Sequence, residues 1–394
     1  MLQGIHCRGY AILEDFTLGL SWAQLKKLHS LEEALAEPRL QALTCLIGRA
    51  STGKTSAFEA LRFISESLKQ GVPEAASALS DEGFASMLSY NGNDQMHFAL
   101  VFYREKEADF LNYQILIKAD RYGRPRVAAE EVIHGAYLDG SFVETQLLQH
   151  QDGEGRVYSQ NFGAAEINLL EVKMPALSLY GRFLQYPELC WLYLSITRWF
   201  ITSGPFELKR MPARKIDGIN RHLTSDFENA TNVLDYYEAR DREQGRAGAT
   251  VQRILEKMPD FKLTGDIRLD RELTSGNLKL FLYYLLLEDN RPLICLDGPE
   301  LGLYHERVED LVTEMRIYLD VELGAQIFLS SHSTVLLDTL APAEVWLLER
   351  KREAGADKAL IQARWLGSDD LIQKMAEEGI SLGSLWYSGH LDFQ

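Results

Sequence analysis

Eight consecutive residues, Gly48 to Thr55, limit what this chain can fold into more than any other feature. They read Gly-Arg-Ala-Ser-Thr-Gly-Lys-Thr and match the pattern G-x-x-x-x-G-K-[ST]. The glycines let backbone N–H groups close around phosphate oxygens, and the N-terminus of the following helix adds its positive dipole. The apolar strand-like run 41–47 enters the loop, and 54–70 has helical spacing of apolar residues. The sequence therefore predicts a phosphate-binding P-loop between a strand and a helix.

The P-loop predicts ATP and Mg²⁺ as cofactors. Lys54 is expected to reach the β- and γ-phosphates, and the Thr55 hydroxyl to ligate Mg²⁺. We expect nine residues to form the nucleotide contacts: Gly48, Arg49, Ala50, Ser51, Thr52, Gly53, Lys54, Thr55 and Ser56.

A second apolar run, Leu293 to Leu296, ends in Asp297. P-loop proteins need a second strand whose end brings an aspartate to the metal, so Asp297 is the predicted second Mg²⁺ residue. The alternative is an aspartate that only begins an Asp-Gly-Pro turn. The P-loop upstream favours the metal interpretation.

Two more polar sites lie next to apolar segments. Ser275 and Gly276 precede an all-apolar helix, where a hydroxyl and a helix N-terminus can face an anionic oxygen. Thr-Ser-Gly-Asn alone is also a common helix cap. His332 ends the predicted strand 326–329, and we favour a functional histidine there over a structural one.

The order P-loop, Ser-Gly, aspartate and histidine resembles that of ABC ATPases, and more narrowly that of soluble members related to the SMC and OLD proteins. The stretch Pro299–His305 resembles their Pro-Glu-x-Gly-Leu-His-Pro segment. The stretch Leu382–Gly389 is similar to the tail of small stand-alone members encoded beside an effector in prokaryotic defence loci. The resemblance implies an α/β fold: a P-loop NTPase with an ABC-type ATPase core, a mixed sheet and a helical insert.

The resemblance also implies residue roles. Ser275 and Gly276 would complete the site of the opposite protomer of a homodimer or higher homo-oligomer, and His332 would contact the γ-phosphate. Tyr10 would lie near the base, and Gln95 would be the Q-loop glutamine.

The chain departs from the family pattern after Asp297. ABC ATPases normally place a glutamate there to orient the attacking water, whereas this chain has Gly298. Either Glu300 turns inward as the catalytic carboxylate, or hydrolysis is slow and ATP acts as a switch ligand. Pro299 stiffens the chain before Glu300, which favours the slow switch. Ala50 also stands where the family usually has asparagine.

The predicted plan splits the nucleotide-binding core in sequence. Residues 1–150 and 262–394 form the core, and residues 151–261 form a mainly helical insert or lid.

The charge and the hydropathy of the chain limit the kinds of partner that it can have. The net charge of −16 argues against a surface that wraps nucleic acid. A group of basic residues could still form a local nucleic-acid-binding patch, although a solvated face is the favoured interpretation. The group contains Lys209, Arg210, Arg214, Lys215 and Arg221. No run reaches the ~20 apolar residues of a membrane span, and no secretory signal is visible. We therefore expect a cytoplasmic protein without membrane association.

The leading functional hypothesis is a regulatory ATPase that dimerises around ATP and controls a partner effector, a nuclease or toxin in antiphage defence. The stretch beyond His332 is too short for the Toprim nuclease of OLD proteins, so we expect the effector to be separate. The alternatives are an SMC-like DNA-repair ATPase, a transporter's ATPase subunit, and a nucleotide-dependent scaffold that no longer hydrolyses ATP. The absence of heptad arms argues against the first alternative.

Overall fold

The fold was obtained as a computed structural model, which describes residues 1–89, 94–159, 163–170, 172–202, 211, 221–258, 261, 274–352 and 359–391. Within these residues the strands form two sheets, one of eight and one of six strands. In chain order the strands are β1 Leu2–Tyr10, β2 Leu13–Gly19, β3 Leu43–Ile47, β4 Gln95–Arg104, β5 Asp109–Ala119, β6 Pro125–Leu138, β7 Ser141–Gln151, β8 Glu154–Ser159, β9 Gly163–Asn168, β10 Phe200–Ile201, β11 Leu293–Asp297, β12 Gln326–Ser330, β13 Val345–Arg352 and β14 Ala359–Trp365.

Fourteen helices are assigned in the described part of the chain. They are α1 Trp22–Leu25, α2 Leu31–Ala36, α3 Lys54–Gln70, α4 Val72–Leu79, α5 Phe84–Met87, α6 Ala176–Tyr180, α7 Pro187–Thr197, α8 Ala230–Glu243, α9 Ala249–Glu256, α10 Ser275–Leu287, α11 His305–Val321, α12 Thr334–Asp338, α13 Asp370–Glu377 and α14 Leu382–Tyr387. Short 3₁₀ turns occur at Pro342–Glu344 and Leu366–Ser368.

The six-stranded sheet is mixed and carries the P-loop. Its order is β10-β11-β12-β3-β13-β14, with parallel pairing except between β13 and β14. All five residues of β3 and of β12 are buried, because helices or the second sheet cover both faces. Continuous apolar runs are the sequence signature of such strands. Since parallel strands end at the same edge, the ends of β3, β11 and β12 lie side by side.

The eight-stranded sheet is antiparallel, in the order β2-β1-β4-β5-β6-β7-β8-β9. Helix α3 packs between the two sheets: Phe58 and Leu61 share one buried cluster with Phe98 of β4 and Phe328 of β12. Gln326 joins the sheets directly, because its side chain accepts from the Leu2 N–H at 2.6 Å and donates to the Leu2 carbonyl at 2.9 Å. The P-loop helix is thereby fixed from both sides.

The opposite face of the mixed sheet is covered by α8, α10 and α11. Every residue from Leu278 to Leu286 is buried, and this helix packs with Ile294 and Leu296 of β11 in a second cluster. A helix that is apolar all round is expected only where it is buried on all sides.

The segment 151–261 contains more than helices. Strands β8 and β9 extend the antiparallel sheet to Asn168, and the described helices of the segment begin at Ala176. The division into core and insert stays a prediction. Of the basic group, only Arg221 lies within the described residues. None of the described helices is long and apolar enough to cross a membrane.

Candidate nucleotide-binding site

The P-loop joins the end of β3 to the start of α3 through two glycines in unusual conformations. Gly48 has φ +150° and lies so close to β13 that an added Cβ would be 2.4 Å from the Leu348 carbonyl oxygen. Gly53 has φ +89°, and a Cβ there would be 2.9 Å from the Leu13 side chain. A larger residue would therefore clash or be strained at both positions, and the loop conformation requires glycine.

Lys54 is turned into the loop and is almost fully buried. Its Nζ donates to the carbonyl oxygens of Gly48, at 2.9 Å, and Arg49, at 3.0 Å. Burial lowers the pKa of Lys54, while the negative charge of Asp297 opposes that shift. Among the described residues, the hydrogen-bond acceptors of this ammonium are neutral carbonyl oxygens, which anionic phosphate oxygens could replace with stronger bonds.

Asp297 lies against the P-loop, as the sequence predicted. The Thr55 Oγ1 donates to Asp297 Oδ2 at 2.7 Å, and the Ser330 hydroxyl donates to the other carboxylate oxygen. The Asp297 N–H donates to Thr202 Oγ1 at 3.0 Å. These contacts fix the carboxylate at the edge where the parallel strands end.

Glu300 turns inward despite Pro299. It is only 9% exposed, and its Oε1 accepts a hydrogen bond from the Ser331 hydroxyl at 2.6 Å. Its Oε2 is buried and has no partner among the described residues. The expectation that Pro299 keeps Glu300 from turning inward is wrong: Gly298 has φ +61°, a left-handed conformation that turns the chain just before the proline.

His332 lies directly beyond β12, next to the serines that hold the two carboxylates, and its side chain is exposed. Partial burial and the charge of Lys54 lower the pKa of His332, and Glu300 and Asp297 oppose the shift. His332 therefore lies within electrostatic reach of Lys54, Glu300 and Asp297.

Ser275 and Gly276 form the first turn of α10, which Thr274 caps through a bond from the Asn277 N–H at 3.2 Å. Ser275 is exposed. A Cβ on Gly276 would lie 2.9 Å from the Gly302 carbonyl oxygen, so this turn packs against the loop that follows Asp297. Their predicted role in a partner's site stays a prediction.

The contact expected of Tyr10 is not possible in this structure. Tyr10 is 3% exposed and packs against the rings of Phe63 and Phe98, with centroids 6.3 and 5.8 Å away, so it cannot stack on a base. Gln95 is exposed at the start of β4, where its backbone lies beside Gly9. Tyr10 is therefore outside the site, and the role of Gln95 as the Q-loop glutamine stays a prediction.

Several site residues were not predicted from the sequence. Ser330 and Ser331 hold Asp297 and Glu300, and their position just before His332 was the available signal. Lys279 is 6% exposed, and its Nζ donates to the Leu301 carbonyl at 2.7 Å. It links α10 to the loop that carries Glu300, and its place one turn into an apolar helix was the signal.

The comparison with known families identifies the chain. The profile of a family described as "AAA domain, putative AbiEii toxin, Type IV TA system" matches residues 43–338. That segment runs from β3 to α12 and includes the P-loop, Asp297 and His332. The chain belongs to this AAA family. The predicted fold class is confirmed: this AAA protein has an α/β P-loop ATPase fold with a mixed sheet.

Three solved structures are similar to this AAA protein. The SmcHead bound to the C-winged helix domain of ScpA has 12% identity and a TM-score of 0.47, with coverage of 93% of this chain and 98% of that chain. The SMC head domain from Thermotoga maritima has 12% identity and a TM-score of 0.43, covering 92% and 98%. An Smc head domain with an extended coiled coil, bound to the C-terminal domain of ScpA and derived from Pyrococcus furiosus, has 10% identity and a TM-score of 0.44, covering 96% and 98%. No curated protein matches the sequence.

Proposed function

We propose that this AAA protein binds ATP with Mg²⁺, pairs with a second copy of itself around the nucleotide, and controls a separate effector through that pairing. One observation carries the proposal. Thr55 and Asp297 are far apart in sequence, yet their side chains lie 2.7 Å apart beside the buried ammonium of Lys54. A hydroxyl, a carboxylate and a cation at the N-terminus of α3 form the donor set that a nucleoside triphosphate and its metal require.

The residues present fit Mg²⁺. Thr55 and Asp297 offer hard oxygen donors, and Mg²⁺ usually takes one or two protein ligands and completes its shell with phosphate oxygens and water. Among the described residues, no group of three or more His, Cys, Asp or Glu could hold a metal ion by itself, which suits a metal that arrives with the nucleotide. When bound, Mg²⁺ would neutralise charge on the β- and γ-phosphates.

We assign hydrolysis to Glu300. Its Oε1 is held by Ser331, and its Oε2 is buried with no partner in the described chain. Buried polar atoms are nearly always hydrogen-bonded, so such an atom calls for an explanation. A water between Oε2 and the γ-phosphate would satisfy the oxygen, and Glu300 would orient that water and accept its proton. Lys54 and His332 would face the phosphate.

A second candidate is a nucleotide-dependent scaffold that hydrolyses ATP very slowly. Gly298 favours it, because the residue directly after Asp297 supplies no carboxylate and its φ of +61° disfavours any residue with a Cβ. The two candidates share ATP binding and differ only in turnover.

The pairing surface is proposed around the first turn of α10. Ser275 is exposed, and the neighbouring loop presents Leu301 and Tyr304, which are 52% and 83% exposed. Large apolar side chains beside an exposed serine and a helix N-terminus suit a surface that closes onto another protomer and its anionic ligand.

The effector is proposed to be a nuclease or a toxin in antiphage defence. The description of the family mentions a "putative AbiEii toxin" and a "Type IV TA system", which favours a role in a system of that kind. The likeness of Leu382–Gly389 to the tail of small ATPases encoded beside an effector supports a separate partner. Co-purification of the tagged protein from its native host, with and without ATP, tests this part. The effector should be recovered in a nucleotide-dependent amount, and Lys54→Ala should remove that dependence.

A calorimetric titration tests the site itself. Wild-type protein should bind ATP more tightly with Mg²⁺ than without it, and Thr55→Ala should lose most of that difference. The matched control is Thr313→Ala, because Thr313 is exposed on α11 and its hydroxyl only bonds the Glu309 carbonyl. Equal Mg²⁺ dependence in Thr55→Ala and wild type would contradict the assignment.

A further inference from the structure

With Tyr10 buried in the core, none of the contacts expected from the sequence holds the nucleoside of ATP. The P-loop, Thr55 and Asp297 account for the phosphate end only. In the proposed binding mode the γ-phosphate would lie towards Asp297, and the nucleoside would leave the loop on the opposite side. In the mixed sheet, β11 and its Asp297 lie on one side of β3, and β13 lies on the other.

A cavity of about 370 Å³ lies on that other side. It is lined by the P-loop segment Arg49–Thr52 and by the end of β13, Leu347–Arg350. Small-molecule sites usually occupy ~300–1,000 Å³, so the volume suits a nucleoside. Because the cavity borders the P-loop itself, a ligand whose phosphates lie in the loop can reach it without crossing any other element.

The cavity exists because the sheet opens there. Pairing between β3 and β13 ends at Ile47 and Leu347, whereas β13 stays paired with β14 as far as Arg352. The loop turns away at Gly48, which lies against the Leu348 carbonyl. One edge of β13 is therefore braced by β14, and the other edge faces the space beside the loop.

One charged side chain stands at this edge on the same side of the sheet as the P-loop helix. Arg350 is exposed and, by strand alternation, shares a face with Trp346 and Leu348, which pack in the same cluster as α3. Arg350 thus lies on the P-loop helix side of the sheet. By the same alternation Glu349 lies on the opposite face, where its Oε2 is 3.4 Å from Lys351 Nζ and 3.9 Å from Arg364 Nε.

We propose that this cavity is the nucleoside subsite, with the Arg350 guanidinium stacked on the purine ring. The planar guanidinium of arginine stacks on aromatic faces, which the lysine ammonium cannot do. The inference rests on the proposed ATP binding at the P-loop and adds how the chain tells a nucleotide from a bare polyphosphate.

The test compares ATP with inorganic tripolyphosphate, both titrated calorimetrically at fixed Mg²⁺. Arg350→Ala and Arg350→Lys should each weaken ATP binding by about 3- to 30-fold, the range of a cation–π contact. Tripolyphosphate binding should stay unchanged in Arg350→Lys and change by less than twofold in Arg350→Ala. Arg242→Ala, which removes one exposed arginine on α8, is the matched control and should leave both affinities unchanged.

Any one of three results would contradict the assignment of this cavity as the nucleoside subsite. They are equal losses for ATP and tripolyphosphate, full ATP affinity in Arg350→Ala, or full recovery of ATP affinity by Arg350→Lys. Failure of the proposed function looks different: wild-type protein would bind neither ligand, or Lys54→Ala would bind both as wild type does.

Discussion

Replacing Glu300 by glutamine distinguishes two hypotheses: an ATPase that hydrolyses ATP, and a switch that binds ATP without hydrolysing it. The change keeps the size of the side chain, and the amide oxygen can still accept the bond that Ser331 donates at 2.6 Å. Only the negative charge and the basicity are lost. A positioned general base contributes roughly 10²–10⁴-fold in rate, so turnover should fall by at least ~100-fold, or about 2.7 kcal/mol of activation free energy.

Single-turnover phosphate release, measured alongside a calorimetric Kd for ATP, is the appropriate assay. The Kd should change by less than about threefold, because Glu300 is proposed to contact the attacking water rather than the nucleotide. Ser331→Ala is the comparison variant. It keeps the carboxylate and removes the hydroxyl that anchors it, which also accepts from the Ser333 N–H at 2.9 Å, and it should lose less activity than Glu300→Gln. If wild type and Glu300→Gln release phosphate at the same rate, Glu300 is not the base and the scaffold candidate gains support.

Four further predictions test other parts of the site. Lys54→Ala should abolish calorimetric ATP binding while thermal melting stays cooperative, since the ammonium bonds only loop carbonyls. Ser275→Glu should bind ATP with normal affinity but fail to dimerise in light scattering, because an exposed carboxylate would repel the partner's γ-phosphate. Lys279→Met should cost about 1–3 kcal/mol of unfolding free energy in denaturant melts, because it leaves the Leu301 carbonyl unpaired, and should lower turnover more than ATP affinity. The pKa of His332 is lowered by burial and by Lys54, and bound phosphate should raise it again. ATP binding should therefore take up protons and strengthen as the pH falls towards 6, and calorimetry in two buffers should show an uptake that His332→Gln reduces.

The strand, loop and helix around the P-loop could be predicted from the sequence because their geometry is local. The P-loop pattern fixes glycines, a lysine and a threonine within one turn, and α3 spans the same Lys54–Gln70 that apolar spacing indicated. Asp297 was predictable because a buried parallel strand is a continuous apolar run, and the first polar residue after it must lie at the sheet edge. Both inferences use only the chain within a few residues of the site.

The contacts that were wrong or missed depend on distant parts of the chain. Tyr10 ends β1, where strand alternation alone does not decide whether the ring faces a nucleotide or the core; its packing against Phe63 and Phe98 comes from other elements. The sequence pattern also did not predict that β8 and β9 extend the antiparallel sheet. Most residues of β9 are exposed, and a strand with little burial has no apolar periodicity to reveal it.

Glu300 shows why a local rule can give the wrong geometry. Pro299 does restrict φ, and a chain entering it in an ordinary extended conformation would be poorly placed to turn back. The chain does not enter Pro299 in an extended conformation, because Gly298 has φ +61° and turns the chain just before the proline. The Gly298 N–H also donates to the Ser330 carbonyl at 2.9 Å. A residue with a Cβ would cost ~1–2 kcal/mol in this left-handed conformation. The glycine that takes the place of the usual glutamate is therefore also the residue that lets Glu300 reach the site, so Gly298→Glu should destabilise this turn rather than restore a catalytic carboxylate.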